Sequence, residues 1–366
     1  MTGEEGHVMR RIVAPTSLTV AVLILLVAAA VGCGGESKGG TIALLLPEQG
    51  VPVLRQDYRA FEKKVEALCS GCTVVYRDAE GGAGNQLEQA EAVLNHGADV
   101  LVVDPVEPEA TSEIVEKARL QKVPVVSFSR LIMNARVDYY VGVDGEEAGL
   151  LQGQALVKGL REEGNPHGPI VTIAPGRGGR LDAGAHEAID AGGLKVVKEY
   201  KVEESSTFNA EIEMRKAIKE LAANGFAGVY ASDDEIALGV IEAMEFTRID
   251  PAQKPVTGGG ATVSALQRML EGKQYMTVYE ATKEQAHAAA EVAVELAKGN
   301  EVPNSWITNE SPNGLKDVPS VLLQPTAVTK ETIDKTVIAN GFVDPEQLCA
   351  GKYGKYCRED GISTQP

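Results

Sequence analysis

Positive charge is scarce in this chain: 35 Lys and Arg stand against 52 Asp and Glu, giving a formal charge of -17 and a pI near 4.9. A field of that sign repels phosphate polymers, so nucleic acid is excluded as a natural partner, while a small solute held in a cleft is not. Histidine is sparse as well, and His7, His96, His167, His186 and His287 show no catalytic spacing. The zinc-helix pattern His-Glu-x-x-His and the phosphate loop Gly-x-x-x-x-Gly-Lys-Ser/Thr are both missing. The 39 Gly and 17 Pro follow no short period, which rules out collagen-like and solenoid chains. No metal, cofactor or enzyme is implied, so function is expected to lie in a binding site. At 366 residues the chain exceeds a common single core, and two lobes are expected.

Long apolar runs are also lacking. The stretch 18–31 has 14 residues, short of the ~20 that cross a bilayer comfortably. It follows Met9, Arg10 and Arg11 and precedes Gly32, Cys33 and a polar Gly/Ser run, the layout of an export signal. Ala30-Val31-Gly32-Cys33 resembles the bacterial lipobox, in which the cysteine is acylated and becomes the first mature residue. The reading is a signal over 1–32, a tether over 33–40, and a membrane anchor at Cys33 that leaves the folded part soluble outside the cytoplasm. Glu4, Glu5, Arg10 and Arg11 cancel within the signal, so the acidic balance belongs to the mature chain. Four cysteines remain, and local pairing is expected, Cys69 with Cys72 and Cys349 with Cys357. Redox use of Cys69-Ser70-Gly71-Cys72 is disfavoured because the pair ends a helix instead of opening one.

From residue 41 short apolar strands alternate with amphipathic helices. Strands are expected at 41–46, 73–76, 100–103, 123–128 and 139–143, with helices at 55–68, 86–96 and 109–120. The cycle restarts with helices at 146–160, 183–191, 209–223, 235–244 and 261–270 and strands at 170–174, 196–200, 228–231, 255–257 and 275–279. Near-continuous Val/Leu/Ile strands between helices indicate an α/β fold, each lobe a mostly parallel sheet covered on both faces. The helix over 283–298 is rich in alanine and is expected to return to the first lobe, with 321–325 crossing once more. The expected division is 41–143 plus 281–320 for the amino-terminal lobe, 144–280 plus 321–345 for the carboxyl-terminal lobe, and 346–366 as a stapled, loose tail. Binding is expected between lobes, beside the carboxyl ends of strands.

Those ends carry Gln49, Asp104, Phe128, Ser129, Arg130, Asp144, Asp233 and the polar run 309–313. The Arg130 guanidinium is a planar fork of donors suited to sugar hydroxyls or a carboxylate, or to an interlobe ion pair. Asp233 offers a carboxylate to hydroxyl donors, while Asp234 is placed to cap the helix that follows. Asp104 is a ligand group or a turn residue, and Asn313 either meets ligand or forms a turn with Gly314. Phe128 belongs to either core or cleft, while the spacing of Phe61 favours core; Tyr58 and Tyr279 are further rings available to a sugar face. The glycines and arginines of Pro175-Gly176-Arg177-Gly178-Gly179-Arg180 suit either an anion site or an interlobe loop.

Gly97-Ala98-Asp99-Val100-Leu101-Val102-Val103-Asp104-Pro105, Val123-Pro124-Val125-Val126, Asp138-Tyr139-Tyr140-Val141, Gln274-Tyr275-Met276-Thr277-Val278-Tyr279 and the run 313–320 carry a resemblance. The chain resembles the periplasmic sugar-binding proteins of bacterial ABC importers, in the ribose/D-xylose-binding branch. The resemblance implies a two-lobed periplasmic binding protein type 1 fold, a small-molecule ligand, no catalysis, a monomer, and an ABC permease as partner. It departs from the xylose pattern in five places: Ser129 where an Asp precedes the arginine, the shorter Gly176 to Arg180 loop where an Asn-Asn pair follows a Gly-Ser-Pro loop, Ser232 for Asn, Gly258-Gly259-Gly260 for Gly-Gln-Asp, and Glu280 for Lys. The resemblance therefore implies a changed ligand preference or lost sugar binding. A sensory lipoprotein with a membrane partner and an enzyme on the same fold are the rival readings.

Overall fold

The computed structural model describes residues 39–48, 52–176, 179–203 and 205–364. Cys33, Gln49, Arg177 and Gly178 lie outside the described residues. Among the described residues, no helix is long and apolar enough to cross a membrane.

The first half runs β1 (Thr41–Leu46), α1 (Pro52–Leu68), β2 (Thr73–Asp78), α2 (Ala83–Asn95), β3 (Val100–Val103), α3 (Ser112–Leu120), β4 (Val125–Phe128) and β5 (Tyr139–Val143). These strands pair in parallel in the order β5-β4-β3-β1-β2. Side chains alternate across a strand, and both sides of β1 are apolar. Ile42, Leu44 and Leu46 pack with Phe61 and Val65 of α1, whereas Ala43 and Leu45 pack with α2 and α3 through Val93 and Ile114. A sheet covered on both faces needs such unbroken apolar strands.

The second half continues with α4 (Gly145–Glu162), β6 (Pro169–Pro175), α5 (Gly179–Ala191), β7 (Lys195–Val202), α6 (Thr207–Leu221), β8 (Gly228–Ala231), α7 (Asp234–Phe246), α8 (Val263–Leu270) and β9 (Met276–Tyr279). β7, β6 and β8 form a parallel sheet in that order. The expected strand over 255–257 is reduced to a single bridge, Val256 beside Val229. Helices α4 and α5 meet backbone to backbone: a Cβ on Gly149 would lie 1.8 Å from the Leu181 carbonyl oxygen, and one on Gly184 1.9 Å from that of Glu146. Only glycine permits this approach, which sets Gln152 and Leu181 on one wall.

After β9 the chain returns to the first half as α9 (Thr282–Ala297), whose Ala286, Ala289, Ala290 and Ala293 are buried in the core shared with α1. β10 (Asn309–Pro312) and β11 (Asp317–Leu323) extend the first sheet to seven strands, β11 parallel to β5. β12 (Thr326–Thr329) then pairs antiparallel with β9. The chain thus passes between the halves at Asp144, at Glu280 and Ala281, and at Gln324 and Pro325. The first and third passages are tied, since Asp144 N–H donates to the Leu323 carbonyl at 3.0 Å.

The end of the chain is not the loose loop expected for 346–366. α10 (Pro345–Leu348) and α11 (Gly354–Glu359) bring Leu348, Cys349, Cys357 and Ile362 into a buried cluster with Leu266, Met269 and Val337. Its few apolar side chains have a core to join, which the polar composition concealed. Cys69 is bonded to Cys72, and Cys349 to Cys357.

Candidate functional site

Polar residues follow directly on the parallel strands at their carboxyl ends: Asp104 after β3, Ser129 and Arg130 after β4, Asp144 after β5, Ser232 and Asp233 after β8, and Glu280 after β9. Open α/β sheets gather ligands at these ends because the helices that follow leave a crevice there.

Arg130 Nε donates to Asp104 Oδ1 at 3.0 Å, and Nη1 donates to the Val106 carbonyl at 3.3 Å. The Arg130 side chain remains 46% exposed while that of Asp104 is 4% exposed, so the guanidinium keeps a free edge above a buried anchor. Burial pushes the Asp104 carboxyl up to about 6, with Arg130 pulling the other way. Between them Ser129 adopts φ 60°, a region that non-glycine residues seldom enter. Arg130 N–H donates to the Phe128 carbonyl at 2.6 Å, which closes a γ-turn. The turn is pinned where Ser127 Oγ donates to the Arg130 carbonyl at 2.7 Å and Tyr140 Oη donates to the Ser129 carbonyl at 2.9 Å. These bonds hold the strained serine in place and turn Arg130 toward Asp104.

Tyr140 also reports what surrounds the site. Burial first, then the charges of Glu280 and Asp104, push its hydroxyl well above the usual phenol range, with Arg180 opposing and Asp144 adding. Groups from both halves therefore act on one hydroxyl.

The second half contributes a cavity of about 320 Å³ walled by Gln152, Leu181, Ser205, Ser232, Asp233 and Glu280, over the backbone of Gly259 and Gly260. Its size falls in the range of small-molecule sites. Asp233 Oδ2 accepts from Ser205 Oγ at 2.6 Å and from Ser232 Oγ at 3.1 Å. Gln152 is 1% exposed; Nε2 donates to the carbonyls of Ser232 at 2.8 Å and Gly258 at 3.0 Å, while Oε1 has no partner. Glu280 has accessible surface but is crowded by protein, the situation of a side chain on the wall of an open crevice. The protein packed around it pushes its carboxyl up. Among the described residues, no aromatic ring is in these walls.

A larger depression, about 410 Å³, lies at the other end of the second half, where Tyr275 precedes β9 and Pro255 precedes the Val256 bridge. Its Lys158, Lys273 and Lys330 are already paired with Glu162, Glu245 and Asp360, and Lys254 Nζ donates to the Phe226 carbonyl. The smaller cavity sits where strand ends converge and carries unmet polar atoms, so it is the better site.

Several sequence-based assignments change. Phe128 is 2% exposed and packs with Val126, Val141 and α9, so it is a core residue rather than a cleft wall. Phe61 is core as well, Tyr279 packs against Phe342, and Tyr58 against Tyr76. Asn313 is fully buried: Nδ2 donates to the carbonyls of Ile132 and Ala135, and Oδ1 accepts from the N–H groups of Leu315 and Lys316. Since Ser320 pairs with Tyr140 and Leu323 with Val143, the turn before Asp317 lies at the amino-terminal end of β5, away from the strand ends that carry Arg130. Asn313 builds a loop there and is not part of the crevice. Asp233, not Asp234, caps α7, its Oδ1 accepting from Ile236 N–H at 2.9 Å. Asp233 serves as cap and cavity wall together, while Asp234 is buried in a network with Thr262, Gln274 and Thr277. In the loop 175–180, Gly179 and Arg180 already belong to α5, and Arg180 pairs with Glu146 at 2.8 Å.

Gln152 is the cavity-wall candidate that sequence patterning passed over. It lies four residues after Ala148 and four before Leu156, both buried on the same face of α4, and a polar amide on such a face is the signal that marks it.

A family described as periplasmic binding protein domain matches residues 42–301. The chain is 33% identical over 318 residues to the D-xylose-binding periplasmic protein of Escherichia coli K12, covering 86% of this chain and 94% of that one. It is 32% identical over 320 residues to the protein of the same description from Haemophilus influenzae, covering 86% and 93%. Among solved structures, an ABC transporter solute-binding protein from Clostridium phytofermentans with bound β-D-glucose aligns with a TM-score of 0.71 and 25% identity, covering 84% of this chain and 99% of that one. With its paired α/β halves, its three passages and this similarity along most of its length, the chain belongs to the periplasmic binding protein family and has the type 1 fold.

Proposed function

We propose that this chain is an extracytoplasmic solute-binding lipoprotein, anchored through Cys33, that captures a monosaccharide or related polar solute for an ABC importer. The observation that supports this reading is that each half carries polar groups at the carboxyl ends of its strands, the Arg130–Asp104 pair in one and the Gln152–Asp233–Glu280 cavity in the other. A polyol presents donors and acceptors around its rim, which match a guanidinium edge on one side and acceptor oxygens on the other. Closure around the solute would bury both sets of groups together, and the interactions gained would favour the closed form over the open one. Arg130, Ser129 and Asp233 are the ligand-facing members of the sequence-based set, and Asp104 anchors Arg130 from beneath. The same similarity to transport proteins favours a binding role over catalysis.

A thermal-shift screen of the full chain against pentoses, hexoses and inositols, followed by calorimetry, tests this reading. Ligand at 100-fold over its Kd stabilises the native state by ~2.7 kcal/mol. With an unfolding entropy of ~2.1 cal/mol/K per residue over ~330 residues, that corresponds to about 4 °C in Tm. A panel that leaves Tm unmoved throughout overturns the sugar-capture reading. Metabolic labelling with a palmitate analogue, lost on Cys33→Ala, tests the anchor separately.

A further inference from the structure

The polar atoms around the 320 Å³ cavity divide unevenly into those already used and those still open. Ser205 and Ser232 spend their hydroxyl donors on Asp233. Gln152 spends both amide hydrogens on the carbonyls of Ser232 and Gly258. Two carbonyl acceptors at Nε2 also fix the amide orientation, because the reverse would set Oε1 against both of them. What remains open is Gln152 Oε1 and, among the described residues, the whole carboxylate of Glu280. Both are acceptors.

The charges are uneven in the same sense. Arg130 is paired with Asp104 and Arg180 with Glu146, each at 3.0 Å or less. Asp233 and Glu280 line the cavity, and among the described residues no lysine or arginine is in its walls. A neutral polyol could donate hydroxyl hydrogens to these oxygens, but with Arg130 already balanced by Asp104, closure over it would leave the charges of Asp233 and Glu280 uncompensated. An ammonium group brings three donors and one positive charge to the same place.

Resting on the solute-capture reading above, we propose that the solute is a sugar or polyol carrying a protonated amine, with the ammonium held by Glu280 and Gln152 Oε1 and the Asp233 carboxylate supplying further negative field. The crowding that pushes the Glu280 carboxyl up agrees with a group that lacks its cation. The backbone floor is open at Gly260, where a Cβ would have its nearest neighbour, Asp234 Oδ2, 3.9 Å away, while at Gly259 it packs close against Gln152, whose Nε2 would lie 2.9 Å from a Cβ there.

Calorimetry on the full chain at neutral pH with D-glucosamine, D-glucose, N-acetyl-D-glucosamine and D-xylose tests the proposal, alongside the Glu280→Gln variant with its Tm as the check on folding. The expected result is D-glucosamine binding at least tenfold more tightly than D-glucose or its N-acetyl form, with that ratio falling to near one in Glu280→Gln. A neutral sugar that binds the unmodified chain as tightly as D-glucosamine overturns the ammonium site and leaves solute capture standing. A ratio unchanged in a folded Glu280→Gln variant overturns the assignment to Glu280. Failure of every sugar to bind overturns both this proposal and the sugar-capture reading.

Discussion

Replacing Asp234 by alanine removes the centre of a buried polar network and is expected to cost about 4 kcal/mol. The carboxylate accepts from Thr262 N–H at 2.8 Å, Thr262 Oγ1 at 3.0 Å, Gln274 Nε2 at 2.9 Å and Thr277 Oγ1 at 2.8 Å. Gln274 would keep its bond to the Met276 carbonyl, but Thr262 N–H and the Thr277 hydroxyl would be left as donors without acceptors. Each such loss costs ~1–3 kcal/mol. Arg268, itself buried and joined to Gln274 and the Asp234 carbonyl, would lose part of the negative field around it, with Glu235 and Glu242 supplying the rest. The lost acceptors and the weakened field together give the figure of about 4 kcal/mol. At ~2.1 cal/mol/K per residue over ~330 residues, 4 kcal/mol lowers Tm by about 6 °C in differential scanning calorimetry. Asp234→Asn keeps the shape and one acceptor oxygen, and about half that loss is expected. An alanine variant that loses less than ~1 kcal/mol would refute the view that this network is integral to the second half.

Three further outcomes follow from the geometry. Because the folded Asp104 carboxyl sits at about 6 and its unfolded value is near ~3.9, the folded chain holds a proton over that interval that the unfolded chain has lost. The associated stability is present below about pH 4 and falls by up to ~3 kcal/mol as pH rises through 6; denaturant melts of the chain and Asp104→Asn should diverge over that window, and parallel curves would contradict it. Cys349 and Cys357 are eight residues apart, and replacing both by alanine is expected to cost ~2.5 kcal/mol by loop entropy, visible as a lower Tm and contradicted by an unchanged one. A Cβ on Gly258 would stand 2.3 Å from Gln274 Nε2 and 2.4 Å from Asp234 Oδ1, so Gly258→Ala should lower stability by ~1–3 kcal/mol in urea unfolding, and an unchanged midpoint would contradict that crowding.

Much of the fold was legible because its signals are local and repetitive. Val100 to Val103 is buried on both faces, and four consecutive aliphatic residues in a strand can hardly be otherwise. The site was less legible because it depends on choices between neighbours. Asp233 and Asp234 differ by one position, yet one caps a helix at the cavity and the other faces inward, which only the geometry after β8 decides. Phe128 falls on the α9 side of its sheet, and nothing between Ser127 and Ser129 indicates which side carries a core. Asn313 looks like a ligand group in any polar loop, and only strand register places it at the far end of β5. Gln152 owes its role to carbonyls 80 and 106 residues away, beyond the reach of local patterning.

The bond from Asp144 N–H to the Leu323 carbonyl has a mechanical consequence. β5 and β11 leave the large sheet side by side, and past the crossing Thr326 of β12 pairs with Tyr279 of β9, so all three connections adjoin in one seam. A swing about one seam carries nearby points least and distant points most. Glu280 stands at that seam, so any such swing would carry its carboxylate through a smaller arc than groups at the far rim of either half.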